Sequence, residues 1–274
     1  MHLVKITVPI VFIEILIAEL SEASYEAFEE VETGLLAYVP NELYNEDVLL
    51  ELQQNYSEAS FTYTVEVVEQ ENWNAQWEAN YDYVVVADVC LIKSSFHQIE
   101  RKYPYEILIN PKMSFGTGHH ETTTLMLEHI LELEVAGKRV LDAGCGTGIL
   151  AILAYQRHAA QVQGFDIDEW PVANALENVT LNNCPNLDIW QGDIQTVPIA
   201  EKYDILIANI QRNVLMAEMQ HYAARLAPQG ILLLSGFYEA DVVDLCACAA
   251  EYQLKFVSQK MKNNWVALKL QLLS

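Results

Sequence analysis

The stretch VLDAGCGTGILAILA, residues 140 to 154, restricts the fold more than any other part of this chain. An apolar run ends at Asp142, glycines follow at 144, 146 and 148, and an apolar helical pattern begins at Ile149. This reads as a buried strand, a tight turn and a helix. Small residues there let a ligand approach the backbone where the first helical amides point outward. A dinucleotide fingerprint, G-x-G-x-x-G, needs its third glycine where Ile149 stands, so the spacing disfavours NAD and FAD. A phosphate-binding P-loop is excluded as well: no G-K-[ST] closes the turn, and Lys138 precedes the strand. The plainer alternative is a strand-to-helix turn whose glycines serve packing alone.

The surrounding sequence fits that unit into a sheet. RVLDA, QVQGFD, LDIW, YDILIAN and ILLLSG read as short apolar strands with helical segments between them, the last near residues 239 to 252. Such alternation predicts a parallel, doubly wound α/β sheet. LKFVSQ and WVALKLQLL, separated by Lys262, Asn263 and Asn264, predict a hairpin and an antiparallel edge. YVVVADVCLI and YEILINP, further upstream, also read as strands.

The first 69 residues follow another pattern. HLVKITVP is a strand, and the segment from Phe12 carries apolar residues at helical spacing. YEAFEEVE and GLLAYVP are strands joined by a turn at Thr33 and Gly34, followed by a helical NEDVLLELQQ and a β-branched FTYTVEVVE. Strand, helix, strand, strand, helix, strand is the split βαβ, or ferredoxin-like, order. QENWNAQWEANY, with Trp73 and Trp77 on one helical face, reads as a linker helix. The predicted organisation is a small α+β domain at 1–69, a linker helix at 70–85 and an α/β domain at 86–274.

Charge bounds the partners. Fifteen Lys and Arg against 38 Asp and Glu give a net charge of -23. Direct nucleic-acid binding is not expected of such a field, and a basic protein partner suits it better. The five cysteines form no C-x-x-C pair and read as reduced cytosolic thiols. The run ITVPIVFIEILIAEL is broken by Pro9, Glu14 and Glu19, so neither a membrane span nor a signal sequence is expected, and the expected location is the cytoplasm.

Several polar residues fall where strands end. Asp166, 22 residues after Gly144, stands where a carboxylate accepts both hydroxyls of a ribose, so the ligand is expected to contain a nucleoside. Asp168 is more simply a cap for the helix near Pro171. Asp193 closes the third strand and suits an adenine amine, although a bare Gly-Asp turn would look the same. Asn209 ends the fourth.

D-x-G-x-G-x-G, an acid after strand two, Gly-Asp after strand three and a polar residue after strand four together resemble the class I S-adenosylmethionine-dependent methyltransferases. The turn FGTGHHETT, residues 115 to 123, with ENWNAQW, GCGTGILAI, DIDE, ANI and the C-terminal tryptophan strand, is similar to the ribosomal protein L11 methyltransferase family. The resemblance implies a seven-stranded Rossmann-like sheet and methyl transfer from S-adenosylmethionine to lysine side-chain and N-terminal amines of ribosomal protein L11. It also implies that the N-terminal domain recognises that substrate. Thr123, Gly144, Asp166 and Asn209 match positions that contact the cofactor, Gly146 belongs to the same turn, and Phe115 and Thr117 would line its mouth. The two glycine turns would form opposite sides of one cofactor pocket.

A lysine nucleophile must be held in its neutral form by burial and by carbonyl or amide acceptors near the nitrogen, and Asn209 is the leading candidate for such an acceptor. Asn110 and Lys112 depart from the family pattern, which has an acidic residue and a glycine before the turn; His119 and Glu121 depart within it. His119 and His120 do not make an H-E-x-x-H zinc motif, because position 124 is Thr, and a capping or packing histidine is the plainer reading. The alternatives are a methyltransferase of another protein or a small molecule, and a non-catalytic module with a degenerate pocket.

Overall fold

The computed structural model describes residues 1–67, 81–112 and 114–273. The chain divides into two compact units, Met1–Asn80 and Tyr81–Ser274. The predicted linker helix falls mostly outside the described residues. Its last positions, 81–85, hold no helix, and a strand begins at Val84.

In the first unit, β1 (His2–Thr7), β2 (Ala27–Val31), β3 (Gly34–Val39) and β4 (Thr62–Val67) form an antiparallel sheet in the order β2-β3-β1-β4. Helices α1 (Ile13–Glu22) and α2 (Glu46–Asn55) interrupt the strands as a split βαβ order requires. Ile13, Leu16 and Leu20 of α1 and Leu49 and Leu52 of α2 recur at helical spacing, and these are the residues each helix buries. Asn45 caps α2, its side chain accepting from Asp47 N at 3.0 Å. The β2–β3 turn is Glu32–Thr33, one residue earlier than expected. Gly34 already pairs with Val31, and a Cβ there would lie 2.1 Å from Ile6 O.

The second unit opens with a three-stranded sheet of β5 (Val84–Val86), β6 (Cys90–Lys93) and β7 (Tyr105–Leu108). Helix α3 (Glu121–Glu132) follows. Next come β8 (Arg139–Ala143), α4 (Ile149–Gln156), β9 (Gln161–Asp166), α5 (Glu169–Leu181), β10 (Leu187–Gln191), β11 (Tyr203–Asn209), α6 (Arg212–Arg225), β12 (Leu226–Tyr238), α7 (Val242–Glu251), β13 (Leu254–Lys262) and β14 (Trp265–Leu272). The seven strands lie in the order β10-β9-β8-β11-β12-β14-β13. The first five are parallel, and the order reverses at β8, beside β11.

Strand periodicity explains why both faces of this sheet are covered. Val140, Val162, Ile205, Ile207 and Leu233 pack into one core with α3 and α4 residues such as Met126 and Ile152. Their strand neighbours Leu141, Phe165, Leu206, Ala208 and Leu234 pack into another with Leu215, Met219 and Leu245 of α6 and α7. Successive side chains point to opposite faces, so near-continuous apolar strands require helices on both.

The C-terminal hairpin forms, and Asn263 and Asn264 both take positive φ (49° and 66°), as a two-residue hairpin turn requires. It makes the antiparallel edge that its sequence predicts, with the later strand placed inside. β14 inserts antiparallel between β12 and β13, leaving β13 outermost. The cause is composition: β14 buries Val266, Ala267, Leu268 and Leu270, whereas LKFVSQKMK of β13 is mostly exposed. No helix among the described residues is long and apolar enough to cross a membrane.

Candidate active site

The switch of strand order beside β8 opens a crevice outside the carboxyl ends of the strands, the usual ligand position in an open α/β sheet. A cavity of about 610 Å³ lies there, within the range of small-molecule sites. Gly144, Gly146, Asp166, Asp193, Asn209 and Phe115 line it, six of the eight residues expected of the site. Thr117 and Thr123 do not. Thr122 and Thr123 are both fully buried, and Thr122 is the one whose atoms line the cavity.

The two glycine turns meet directly. Thr147 N donates to Phe115 O at 3.0 Å, and Thr147 Oγ1 donates to Gly116 O at 2.6 Å. Gly146 has φ +54°, and a Cβ on it would lie 2.4 Å from Phe115 O, so only glycine permits this approach. Hydrogen bonds thus join the two turns. Gly144 N and Cys145 N both donate to Phe165 O at 2.9 Å, which fastens the glycine loop to the end of β9.

Asp166 is held beside the loop. Its Oδ2 accepts from Gly146 N at 3.0 Å and its Oδ1 from Asp168 N at 3.3 Å. A carboxylate offers about four lone-pair sites, so two remain for a ligand. Asp168 occupies the N-cap position of α5, but its side chain makes no capping bond and lines the cavity. Asp193 combines both readings: Oδ1 accepts from Gln195 N at 2.8 Å and Thr196 N at 3.2 Å, and the residue also faces the cavity.

Asn209 differs from these carboxylates. Its Oδ1 is buried and has no hydrogen-bond partner among the described residues. A buried acceptor left unpaired costs about 1–3 kcal/mol, so an acceptor at a cavity wall marks a place for a donor.

Other contributors were not visible locally. His120 caps α3, its Nδ1 accepting from Thr122 N at 3.2 Å, which is the plainer histidine reading. Its ring lies 4.7 Å from that of Trp265 and 5.1 Å from that of Phe115, so the first glycine turn and the C-terminal hairpin, two distant segments, form one aromatic lip. Glu218 reaches the cavity from α6 and accepts from the buried Tyr222 hydroxyl one turn on. No Lys or Arg lines the cavity among the described residues. Of the atypical turn residues, His119 bonds Asp82 O at 2.9 Å and Glu121 accepts from Asn263 Nδ2 at 2.9 Å, tying the turn to β5's approach and to the C-terminal hairpin.

Asp142 lies behind the loop, 1% exposed, and burial pushes its carboxyl up to about 7. Its Oδ2 accepts from Ala151 N at 3.2 Å. Gly148, the N-cap of α4, has no side chain to do this, so the strand supplies the cap. Burial also pushes the Cys145 thiol well above its ordinary range, which removes it as a nucleophile.

A seven-stranded sheet with an antiparallel strand inserted next to the last position, a glycine loop at the switch point and acids on the neighbouring strand ends defines the α/β methyltransferase class. A profile described as "Ribosomal protein L11 methyltransferase (PrmA)" matches residues 13–272. The protein of that name from Phocaeicola vulgatus is 43% identical over 251 residues, covering 90% of this chain and 89% of that one. Its namesake from Bacteroides fragilis is 43% identical over 259 residues, covering 93% and 92%. Among solved structures, the ribosomal protein L11 methylase from Lactobacillus delbrueckii subsp. bulgaricus shares the fold. Its TM-score is 0.65 at 24% identity, covering 71% of this chain and 100% of that one. The chain belongs to the ribosomal protein L11 methyltransferase family.

Proposed function

We propose that this chain transfers methyl groups from S-adenosylmethionine to lysine side-chain and N-terminal amines of ribosomal protein L11. The observation that carries the chemistry is Asn209, a residue that lines the same cavity as Gly144 and Asp166 and whose buried Oδ1 has no hydrogen-bond partner among the described residues. The relatives named for L11 support the substrate.

The cavity suits the donor. Asp166, Asp168, Asp193 and Glu218 line it without a cationic side chain, a field that favours a positively charged nucleoside over a nucleotide phosphate. A Cβ on Gly144 would meet Ile210 Cγ2 at 2.4 Å, so the cradle depends on missing side chains. Gly144, Gly146, Asp166 and Asp193 are the residues that would hold the cofactor, with Asp166 accepting from ribose hydroxyls. Thr117 and Thr123 keep a supporting part in the turn that carries Phe115. When bound, S-adenosylmethionine supplies a methyl group already activated on a positive sulfur.

The protein's own task is to present a neutral amine in line. A lysine amine has an unperturbed pKa of about 10.4, and apolar surroundings lower it by disfavouring the charged form. Phe115, Phe165, Ile210, Val214 and Trp265 provide such walls. Asn209 Oδ1 accepts one N–H of the neutral amine and so aims its lone pair. Water takes the proton as the amine enters, and no dedicated base is needed.

Recognition of the substrate falls to the first unit. Residues 1–80 hold 16 of the 38 Asp and Glu but only one of the 15 Lys and Arg, and that one, Lys5, is paired with Glu66 at 2.7 Å. Such a surface draws a basic protein and repels RNA.

The deciding experiment is mass spectrometry of unmethylated L11 incubated with this protein and S-adenosylmethionine. Mass gains in steps of one methyl group, located on lysine or the N-terminal amine, are expected. No gain from a chain that binds the cofactor would refute the substrate and pass it to another protein or a small molecule.

A further inference from the structure

The two residues that depart from the family pattern before the first glycine turn, Asn110 and Lys112, both reach the same helix. Asn110 Nδ2 donates to Glu177 Oε1 at 2.6 Å, and Lys112 pairs with Glu177 Oε2. Glu177 belongs to a polar face of α5 that also carries Asn174 and Asn178 and continues to Asn182 at its C-cap. None of the three asparagines lines the cavity.

Their spacing explains what they do. Residues four apart on a helix rise about 6 Å, and residues two apart on a strand rise about 6.6 Å. One helix face can therefore follow the free edge of a strand. Asn182 accepts from Leu108 N at 2.8 Å and donates to Leu108 O at 2.7 Å. Asn178 accepts from Asn110 N at 2.9 Å, and Asn174 donates to Asn110 O at 3.3 Å. The intervening Ile109 turns the other way: its N–H donates to Lys93 O at 2.8 Å and its carbonyl accepts from Ser94 Oγ at 3.0 Å. Three side-chain amides thus replace a missing strand along the continuation of β7, which leads into the turn bearing Phe115.

Asn178 does one thing more. While its Oδ1 holds Asn110, its Nδ2 donates to Thr147 O at 3.0 Å, inside the glycine loop. Asn178 is fully buried, and both ends of its amide are used. One side chain therefore fixes the stem of the first turn and the second turn at once.

We infer that the polar face of α5 is the element that sets the spacing of the two glycine turns, and that Asn178 is a positioning residue for the cofactor pocket although it does not line the cavity. Asn182, which holds the same strand but not the glycine loop, is the internal comparison.

The affinity arm of the test rests on reading the cavity as an S-adenosylmethionine site, and the exchange arm does not. Asn178→Leu and Asn182→Leu are compared with wild type by amide hydrogen exchange without ligand, thermal unfolding, and calorimetric binding of S-adenosylhomocysteine. Asn178→Leu should speed exchange at Asn110 and across residues 144–148 together and weaken binding about tenfold. Asn182→Leu should speed exchange at Leu108 and leave binding within about twofold for a comparable loss of Tm. Binding that follows Tm equally in both variants, or unchanged exchange across 144–148 in Asn178→Leu, overturns the inference. Wild type that binds no S-adenosylhomocysteine removes the cofactor reading and leaves exchange to decide. If Asn178→Leu does not fold, Glu177→Gln, at a partly exposed site, should speed exchange at Lys112 and Ser114; unchanged exchange there overturns it equally.

Discussion

Asp142→Asn isolates the energetic cost of placing a carboxylate behind the glycine loop. The side chain is 1% exposed, its Oδ1 has no partner among the described residues, and burial raises its carboxyl from 3.8 to about 7. The Ala151 N–H opposes that rise, and nearby Asp166 adds to it. A rise of roughly 3 units at 1.36 kcal/mol each corresponds to about 4 kcal/mol. Because the folded pKa lies above the unfolded one, the stability linked to this group is fully present below about pH 4 and is lost as pH rises through about 7. Asparagine keeps an oxygen for the Ala151 N–H and carries no charge, so it mimics the protonated acid at every pH. Urea denaturation at about pH 5 and about pH 8.5 crosses roughly two of those three units, so wild type should lose about 3 kcal/mol relative to the variant between the two, with the variant the more stable in alkali. Glu106, Glu121 and Glu177, whose carboxyls are held low by hydrogen-bonding partners, are common to both proteins and cancel in the difference. Parallel stability curves across that range would refute the reasoning.

Asn209→Ala should lower turnover on L11 about 10- to 100-fold while Tm changes little, as checked by methyl-transfer kinetics beside thermal unfolding; equal proportional losses in both would remove its role. Asp166→Ala should weaken S-adenosylhomocysteine binding by about 1 to 3 kcal/mol in calorimetry, and an unchanged dissociation constant would sink the ribose assignment. Gly146→Ala combines a φ of +54° with a Cβ 2.4 Å from Phe115 O, so it should cost about 1–3 kcal/mol of stability and abolish cofactor binding, as measured by Tm and calorimetry.

The parts of this site that could be read from sequence are those encoded within one strand-turn-helix. Asp142, the three glycines and Ile149 announce a ligand loop because their spacing is local, and Asp166, Asp193 and Asn209 each stand where an apolar run stops. What needed the structure is non-local or a matter of phase. Thr122 and Thr123 differ by about 100° around a helix whose start is fixed only by the His120 cap, so the sequence HHETT leaves open which threonine faces the cavity. Glu218 reaches the cavity from α6 with no motif of its own, and Trp265, although it opens the strand that carries part of the resemblance, has no local signal that it meets the first glycine turn. The insertion of β14 between β12 and β13 is decided by which hairpin strand has more apolar surface to bury, a competition that strand spacing does not express. Asn174, Asn178 and Asn182 are visible as an i, i+4, i+8 series, but the strand edge they satisfy lies some 64 to 74 residues earlier in the chain.

In the proposed reaction acidity serves two purposes that pull against each other at the reacting nitrogen. The carboxylates that attract a basic protein and a cationic donor also stabilise an ammonium ion, which cannot act as a nucleophile. The sheet order separates these effects. Asp166 ends β9 and Asn209 ends β11, with β8 between them, so the two lie two strand spacings apart, about 10 Å. At that distance and an effective dielectric of about 20, one carboxylate stabilises an ammonium by about 1.7 kcal/mol, little more than one pKa unit. Full burial against apolar walls lowers an amine by up to about 3 to 5 units, so under the proposed reading desolvation outweighs that single carboxylate beside Asn209. Under the proposed reading, a neutral acceptor at the end of β11, where β9 and β10 are followed by carboxylates, would let the amine be held without being charged.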